Sequence, residues 1–240
     1  MEQDKPFNHR MPVSAREARI ASASADAALA GIGLRMLRIL PGEPLGDVPR
    51  LRREVYFHEQ GQFGDRSRRV TDGLDACGTT LAVEKGTQAI ATLRLHDFSP
   101  LAVQVEYGSL FQIDDFARTW PLSQVAVGTR FAVQADQRNK PVVDRLMEEV
   151  YRWAQESRIQ FCLIACEPFL HGVFEHYGFR EYLPPAILPG GVDLLRMVLV
   201  MEDEPYLSEC GSPLHRLIRE PARALPAKAW LTRSFHALGG

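Results

Sequence analysis

Two arginines and two aspartates are the residues whose types and spacing most directly suggest chemistry. Arg94 lies in a predicted strand, and Arg130 lies in an apolar stretch of another. If Arg94 faces inward, its guanidinium can bind a carboxylate through two hydrogen bonds, whereas an outward Arg94 is solvated. A buried Arg130 requires a partner, so it indicates a site residue or a structural ion pair. Asp72 and Asp75 lie in a polar loop and indicate ordinary turn chemistry or a binding site.

Further arginines form two basic clusters in the first third of the chain. Arg52 and Arg53 are adjacent, and Arg66, Arg68 and Arg69 follow in a loop-like segment. We expect both clusters to be solvated faces. The alternative is a surface that docks an acidic carrier protein.

The histidines and cysteines do not predict a metal site. His171 and His176 are five residues apart and share a helix face poorly, and neither they nor His58 have a second acidic ligand nearby. The four cysteines match no zinc or disulfide pattern. Cys162 and Cys166 lie in an apolar stretch and are predicted to be buried thiols, which favours a reducing compartment.

Composition narrows the class of protein. The chain has 240 residues, 45% hydrophobic and 24% charged, as in an ordinary globular protein. A net charge of -2 gives no support for a nucleic-acid binder that works by bulk phosphate attraction. The polar N-terminus does not resemble a signal peptide, and no stretch reaches the roughly 20 apolar residues of a membrane span. We therefore expect a cytoplasmic protein without a membrane span.

The elements that must position these residues follow from hydrophobic periodicity. Strands are predicted over residues 34–40, 79–84, 88–96, 124–133, 160–166, 179–182 and 193–201. Helices are predicted over 48–59, 141–156, 169–177 and 213–220, with a short one within 101–119. Asp47 is the expected N-cap of the first helix. A loop with Pro184, Pro185, Pro189 and Gly190 is expected to join the last two strands.

The clearest helix is 141–156, which has one apolar stripe. Glu148 and Arg152 are predicted to pair on its outer face. The whole pattern predicts one α/β domain over 34–201, with an N-terminal extension over 1–33 and a helical tail over 202–240. Ser14 and Glu17 fit a capping box in the extension, which is otherwise expected to be partly helical or disordered. Its role, including whether 14–30 covers a site, stays open.

Several motifs, in order, resemble one superfamily of acyltransferases. Strand, helix, strand and short helix ending in His176-Tyr177-Gly178-Phe179 resemble the back half of a GNAT-like acyltransferase. Four further stretches resemble the acyl-homoserine-lactone synthases and the long-chain N-acyl amino acid synthases: Arg52 to Phe63, Asp72-Gly73-Leu74-Asp75, Ala91-Thr92-Leu93-Arg94-Leu95 and Thr129-Arg130-Phe131-Ala132-Val133. The resemblance runs from about Arg52 to Tyr182.

The resemblance implies both a fold and an activity. The fold is the GNAT-like (acyl-CoA N-acyltransferase) α/β fold, a central mixed and splayed sheet flanked by helices. The activity is transfer of a long-chain acyl group from an acyl-carrier-protein or CoA thioester to the amine of an amino acid or similar small molecule, in a bacterial cytoplasm. No permanently bound cofactor is implied, because the acyl thioester is a co-substrate. An autoinducer synthase that makes acyl-homoserine lactones, and a non-catalytic module that binds acyl ligands, are the alternatives.

The same resemblance implies roles for individual residues. The predicted catalytic residues are Arg130, Glu106 and Asp72. The predicted acceptor-binding residues are Arg94, Asp75, Phe57 and Glu59. The predicted acyl-donor-binding residues are Thr129, Phe131, Ala132, Val133, Arg138, Asn139 and Lys140.

Three departures from the family patterns narrow the chemistry. The stretch from Gln137 to Val142 lacks the glycines that cradle a CoA pyrophosphate, and Pro141 removes a backbone donor. Val127 stands where the two related families have a glutamate, which disfavours lactone synthesis from S-adenosylmethionine. Phe174 stands where many acetyltransferases have a tyrosine acid. These departures favour a carrier-linked donor, with a base supplied by an aspartate or glutamate of the predicted site (Asp72, Asp75, Glu59 or Glu106) or by a water chain.

Overall fold

A mixed sheet of seven strands organises the part of the chain that the computed structural model describes: residues 33–59, 70–138, 140–188 and 191–235, without the side chains of 58, 59 and 140. The strands are β1 Leu34–Ile39, β2 Thr79–Lys85, β3 Gln88–Asp97, β4 Val125–Val133, β5 Phe161–Cys166, β6 Arg180–Leu188 and β7 Val192–Val200. Their spatial order is β1-β2-β3-β4-β5-β7-β6. Neighbours are antiparallel except β4 and β5, which are parallel. The predicted strands are confirmed.

Helices cover both faces of this sheet. They are α1 Val48–Arg53, which continues as a π-helical stretch Glu54–Glu59, α2 Leu101–Phe111, α3 Ile113–Ala117, α4 Lys140–Glu156, α5 His171–His176, α6 Glu204–Glu209 and α7 Ala224–Ser234. The apolar side chains of α4, α5 and α6 pack on one face. Those of α2, α3 and α7 pack on the other. The predicted α/β architecture, a central mixed sheet flanked by helices, is therefore confirmed. No described helix is long and apolar enough to cross a bilayer.

Strand β4 shows why both faces need cover. Val125 and Val127 are fully buried on the side of α2 and α3, whereas Ala126 and Val133 are buried on the side of α4. Successive side chains of a strand point to opposite faces, so an apolar residue at nearly every position requires a layer on each side.

The sheet parts between β4 and β5. The two strands pair only from Val125 with Phe161 to Gly128 with Ile164, and then separate. On its other side, β4 has one residue more than β3 between Thr129 and Ala132, and Arg130 there has a φ of 57°. Such a bulge bends the strand that carries the extra residue. The predicted splay is confirmed, and the bulge accompanies it.

Strand β6 corrects one predicted loop. Pro184 and Pro185 lie within β6, which continues to Leu188, rather than in the loop after it. Proline lacks the amide donor of a strand ladder, but β6 is an edge strand with one neighbour, where that loss is tolerated. The ladder with β7 is irregular between Leu183 and Ala186. Pro189 and Gly190 lie outside the described residues.

Two local predictions of side-chain placement are wrong. Asp47 precedes α1 without capping it, because its carboxylate accepts from Arg50 and from the backbone of Ala89. Glu148 and Arg152 do pair, at 3.2 Å, but both are buried rather than on an outer face. The residues from 213 to 217 lie against α4, and Arg216 also bonds to Glu148.

The two ends of the chain differ in what is described. The predicted helix from Ser14 to Ala30 lies outside the described residues. After β7, α6 is followed by the 3-10 turn Pro213–Leu217, where a longer helix was predicted, and then by α7. Leu207 and Leu214 belong to the core on one face of the sheet, and Trp230 belongs to the core on the other. The limits proposed for the domain and its tail stay a prediction.

Candidate active site

Five charged side chains form one cluster beside the acidic loop, and four of them are the arginines and aspartates with which the sequence analysis began. Arg94 on β3 is fully buried and faces inward, 2.5 Å from Asp72 and 3.0 Å from Asp75 through its Nη1 atom. Arg130 Nη2 lies 2.6 Å from Asp72 Oδ2, and Arg52 Nη1 lies 2.9 Å from Asp75 Oδ1. Three guanidinium groups face two carboxylates, so the cluster has a net charge of +1. It therefore attracts a small anion.

The acidic loop is preorganised by its own backbone. Asp72 Oδ1 accepts a hydrogen bond from Leu74 N at 2.9 Å, and Asp75 Oδ2 accepts one from Asp72 N at 3.0 Å. This capping box starts the 3-10 turn Gly73–Ala76. The aspartates thus form a turn, which was one alternative, and also bind the arginines; their role in a binding site stays a prediction.

Arg52 corrects the prediction of a solvated basic face. Its side chain is fully buried beneath the acidic loop, and Nη1 also donates to Val70 O at 3.1 Å. The apolar positions of α1 turn Arg52 toward the loop, whereas Arg53 is exposed. The second predicted basic cluster, Arg66 to Arg69, lies outside the described residues.

The arginines keep both aspartates ionised. Burial acts to raise the pKa of Asp72, but hydrogen bonds and positive charge from Arg94 and Arg130 outweigh it and hold that pKa well below its usual range. The pKa of Asp75 is also lowered, because Arg52 outweighs the effect of burial. Carboxylates held in this state accept protons poorly. The geometry therefore supports Asp72 as a group that orients two arginines rather than as a base.

Two tyrosines that the sequence analysis did not predict also belong to this site. Arg94 donates through Nη2 to Tyr107 Oη at 3.2 Å and through Nε to Thr129 Oγ1 at 3.1 Å. Tyr56 donates to the carbonyl of Phe131 at 3.3 Å, and burial raises the pKa of Tyr56 to about 12. Tyr56 has the helical spacing of a core residue, and Tyr107 lies in a segment of ambiguous pattern. Neither signal distinguishes a site residue from a core residue.

A cavity of about 300 Å³ lies where β4 and β5 part. Its polar lining includes Tyr56, Tyr107, Thr129, Arg130 and Glu167. The rest of its lining is largely apolar and comes from the sheet, α2 and α5: Leu93, Leu110, Phe111, Ile164, Phe174 and Leu194. The charged cluster thus reaches the cavity through Arg130.

A second cavity, of about 520 Å³, runs along the end of β4. It shares Phe131, Glu167, Phe169 and Leu170 with the first cavity, so the two meet at these residues. Its lining includes Ala132, Val133 and Arg138, three of the residues predicted to bind the acyl donor. Asn139 lies outside the described residues, as does the side chain of Lys140.

Other predicted site residues are not brought to the cavities. Glu106 is exposed on α2 and lines neither cavity. Phe57 is half-buried and packs with the apolar residues beneath α1. The side chain of Glu59 lies outside what is described. Asp75 lies behind Asp72, with its oxygens bonded to Arg52, Arg94 and a backbone amide.

Two residues that depart from the family patterns, Val127 and Phe174, have well-defined surroundings. Val127 is fully buried between its neighbours on β3 and β5. Phe174 lines the first cavity with its ring 5.4 Å from that of Phe131. The nearby Tyr177 does not line either cavity; its hydroxyl donates to Asp144 Oδ1 at 2.7 Å. Among the described residues, no group of His, Cys, Asp and Glu is arranged to hold a metal ion.

A mixed sheet that parts between β4 and β5, with helices on both faces, is the GNAT-like fold of the acyl-CoA N-acyltransferases. The structure of FeeM, an N-acyl amino acid synthase from uncultured soil microbes, is similar, with 18% identity and a TM-score of 0.57 over 78% of this chain and 99% of that chain. The CoA-dependent acyl-homoserine lactone synthase BjaI, solved with SAM and isopentyl-CoA, has 18% identity and a TM-score of 0.56 over 75% and 91%. The AHL synthase LasI has 17% identity and a TM-score of 0.52 over 71% and 93%.

The chain belongs to the N-acyl amino acid synthase FeeM family, whose family model matches residues 47–199, well over half of its length. It is therefore an acyltransferase. No curated protein sequence matches it. The family match begins at the residue before α1 and ends within β7, and so includes every residue of the charged cluster and both cavities.

Proposed function

We propose that the protein transfers a long-chain acyl group from the thioester of an acyl carrier protein to the amine of an amino acid. One observation carries the proposal. A single cavity at the parting of β4 and β5 is lined by apolar side chains and by Arg130, which belongs to a cluster of net positive charge. Donor chain, thioester and acceptor can therefore meet at one place.

The thioester arm is assigned to the separated end of β4. Pairing with β5 ends at Gly128, so the stretch Thr129–Val133 has a side that β5 does not cover. An extended arm with amide groups binds such an edge as an added strand does. The same edge supplies backbone donors near the carbonyl, where oxyanion charge develops during acyl transfer.

The phosphate of the donor is assigned to the start of α4. Arg138 is exposed at the far end of the second cavity, and the 17-residue helix α4 begins two residues later. The positive end of a helix favours an anion. The turn before α4 has no glycine, and Pro141 offers no amide, so the site suits one phosphate better than a cradled pyrophosphate. This feature favours a carrier protein over CoA.

The acceptor is assigned to the charged cluster. Arg130 keeps 18% of its side chain exposed and lines the cavity, whereas Arg94 is fully buried. The net charge of +1 matches the carboxylate of an amino acid, and the guanidinium of Arg130 is the group that reaches it. The acyl chain then occupies the apolar part of the cavity, toward Leu110 and Phe111.

The test is thiol release from matched acyl-carrier-protein and acyl-CoA donors with a panel of amino acids. We expect release that requires an amine, a preference for the carrier protein, and an N-acyl amino acid detected by mass spectrometry. Thiol release without any amine requirement would contradict the assignment. A lactone formed from S-adenosylmethionine would place the protein with the autoinducer synthases instead.

The variant Arg130→Ala tests the acceptor assignment. A hydrogen bond to a charged group contributes about 1.5–3 kcal/mol, so we expect kcat/KM for an amino acid to fall by roughly 10- to 150-fold. The loss should be small for the matching amine that lacks the carboxylate. Arg118→Ala, which removes an exposed arginine paired with Asp115, is the control. Equal losses with both amines would assign Arg130 a structural role.

A further inference from the structure

Acyl transfer to an amine requires a group that accepts a proton. An amino acid enters as an ammonium ion, which has no lone pair with which to attack a carbonyl. Val127, buried in the sheet, cannot supply this group, and Phe174 has no titratable atom. The proton acceptor must therefore come from another position around the cavity.

The aspartates and Glu106 do not meet this requirement. Asp72 and Asp75 are bound by arginines that stabilise their ionised forms, so protonating either one would break the cluster. Glu106 is exposed and lines neither cavity. Among the carboxylates whose side chains are described, Glu167 lines both cavities.

We infer that Glu167 is the general base of the acyl transfer; this inference rests on the function proposed above. Glu167 directly follows β5, three residues after the last pair that joins β5 to β4. It therefore lies on the wall opposite Thr129 and Arg130, at the residues where the two cavities meet. The thioester carbonyl must pass this point for its chain to enter the first cavity while its arm follows the second.

The backbone holds Glu167 in place. Its φ of -67° and ψ of 151° are extended, as Pro168 requires of the residue before it. Pro168 also opens the 3-10 turn Pro168–Leu170, which leads directly into α5. Glu167 does not cap this turn with its side chain. The carboxylate is thus carried on a stiff junction between a core strand and a helix.

The reaction balances with this one base. Glu167 takes a proton from the acceptor ammonium, directly or through one water, and the amine nitrogen forms a bond to the thioester carbon. The tetrahedral intermediate loses its second N–H proton to solvent as the C–S bond breaks. The thiolate leaves with the electron pair and takes the proton from Glu167. The products are an amide, a thiol and one proton released to solvent.

The test compares Glu167→Gln with Glu175→Gln, whose side chain is exposed on α5. A general base contributes roughly 100- to 10,000-fold to the rate. We expect at least a 100-fold loss in kcat for Glu167→Gln with little change in the KM of the donor, and near wild-type kinetics for Glu175→Gln. The residual rate of Glu167→Gln should rise continuously with pH, because only solution then removes the proton from the acceptor ammonium. With hydroxylamine, an acceptor already unprotonated at neutral pH, Glu167→Gln should regain most of the rate that the wild type has with the same acceptor.

The outcomes separate this inference from the proposed function. Amine-dependent thiol release by the wild type, retained within a few fold by Glu167→Gln, overturns the base and leaves the function standing. A loss in Glu167→Gln that hydroxylamine does not restore, or that comes with a raised donor KM, assigns Glu167 to donor positioning and also overturns it. Absence of amine-dependent release in the wild type overturns both. Cooperative melting of each variant shows that the fold is intact.

Discussion

A buried histidine next to the charged cluster depends on a single glycine. His96 follows Arg94 by two residues on β3 and is almost fully buried. A Cβ atom placed on Gly78 would lie 2.4 Å from His96 Cε1, well inside contact distance. Burial, together with the positive charge of Arg94, lowers the pKa of His96 to about 4, so the ring is neutral at pH 7. Gly78 therefore provides the space in which an uncharged ring packs beside the site.

We expect Gly78→Ala to lower the free energy of unfolding by about 1–3 kcal/mol, the usual cost of overpacking a tight interior. The ring of His96 would have to move, and its burial leaves it little space to do so. Gly73→Ala is the matched control, because no atom lies within 4 Å of a Cβ at Gly73. Denaturant unfolding monitored by circular dichroism measures both. Equal stabilities of the two variants would show that the ring yields without cost.

The charged residues of the site could be predicted from the sequence, because a buried arginine demands an acidic partner. That argument applies to Arg130, whereas Arg94, Asp72 and Asp75 follow from the family resemblance, and the structure brings all four together. Tyr107 and Glu167 could not be predicted. Their involvement depends on where β4 and β5 part, and no local pattern of residues reports the distance between two strands.

At the scale of elements, α7 closes one face of the core. Trp230 lies with its ring 4.8 Å from that of Phe116 and 5.4 Å from that of Phe161. Its Nε1 donates to Thr119 Oγ1 at 3.1 Å. The last helix therefore covers α3 and β5, on the opposite face of the sheet from α4.

Trp230→Ala should cost about 3–5 kcal/mol, as expected when a large buried aromatic side chain leaves a cavity. Leu225→Ala, on the same helix but 65% exposed, should change stability by less than about 0.5 kcal/mol. Thermal and urea unfolding of both variants test this. A small effect of Trp230→Ala would show that α7 is dispensable to the core.

The sequence predicted the strands well and the segments after them less well. A short apolar run identifies a strand buried on both faces, as in β2 to β5 and β7, and partial alternation identifies the edge strand β1. Proline suggested the end of β6, because it breaks ladders in general. The tolerance of an edge strand for proline became clear only once the strand order was known. The 3-10 turns and α7 have no strong apolar stripe, so their packing was not predictable.

At the scale of the molecule, the charged cluster links four parts of the chain. Arg52 comes from α1, the two aspartates from the loop before β2, Arg94 from β3 and Arg130 from β4. Both aspartates have a pKa in the folded state below the value of an unfolded chain, about 3.9. Their contribution to stability is therefore fully present above about pH 5 and is lost as pH falls through that value toward the lower folded pKa.

We expect the free energy of unfolding to begin to fall below about pH 5 and to fall most steeply below about pH 4, and Asp72→Asn to be less stable at pH 7 with a shallower acid dependence. Urea unfolding at a series of pH values measures both. Asp115→Asn, which alters an exposed ion pair with Arg118, should keep the slope of the wild type. An unchanged slope in Asp72→Asn would show that other groups control acid unfolding.

The two outer edge strands of the sheet, β1 and β6, carry residues that discourage pairing with further strands. On one side, β1 is short and carries Arg35 and Arg38; on the other, Pro184 and Pro185 interrupt the amide donors of β6. Charge and proline are features that keep sheet edges from recruiting strands of neighbouring molecules. Self-association into growing fibrils is thereby discouraged at both borders. If the donor arm binds the separated end of β4 as proposed, strand-like recognition by this chain is confined to the internal gap between β4 and β5.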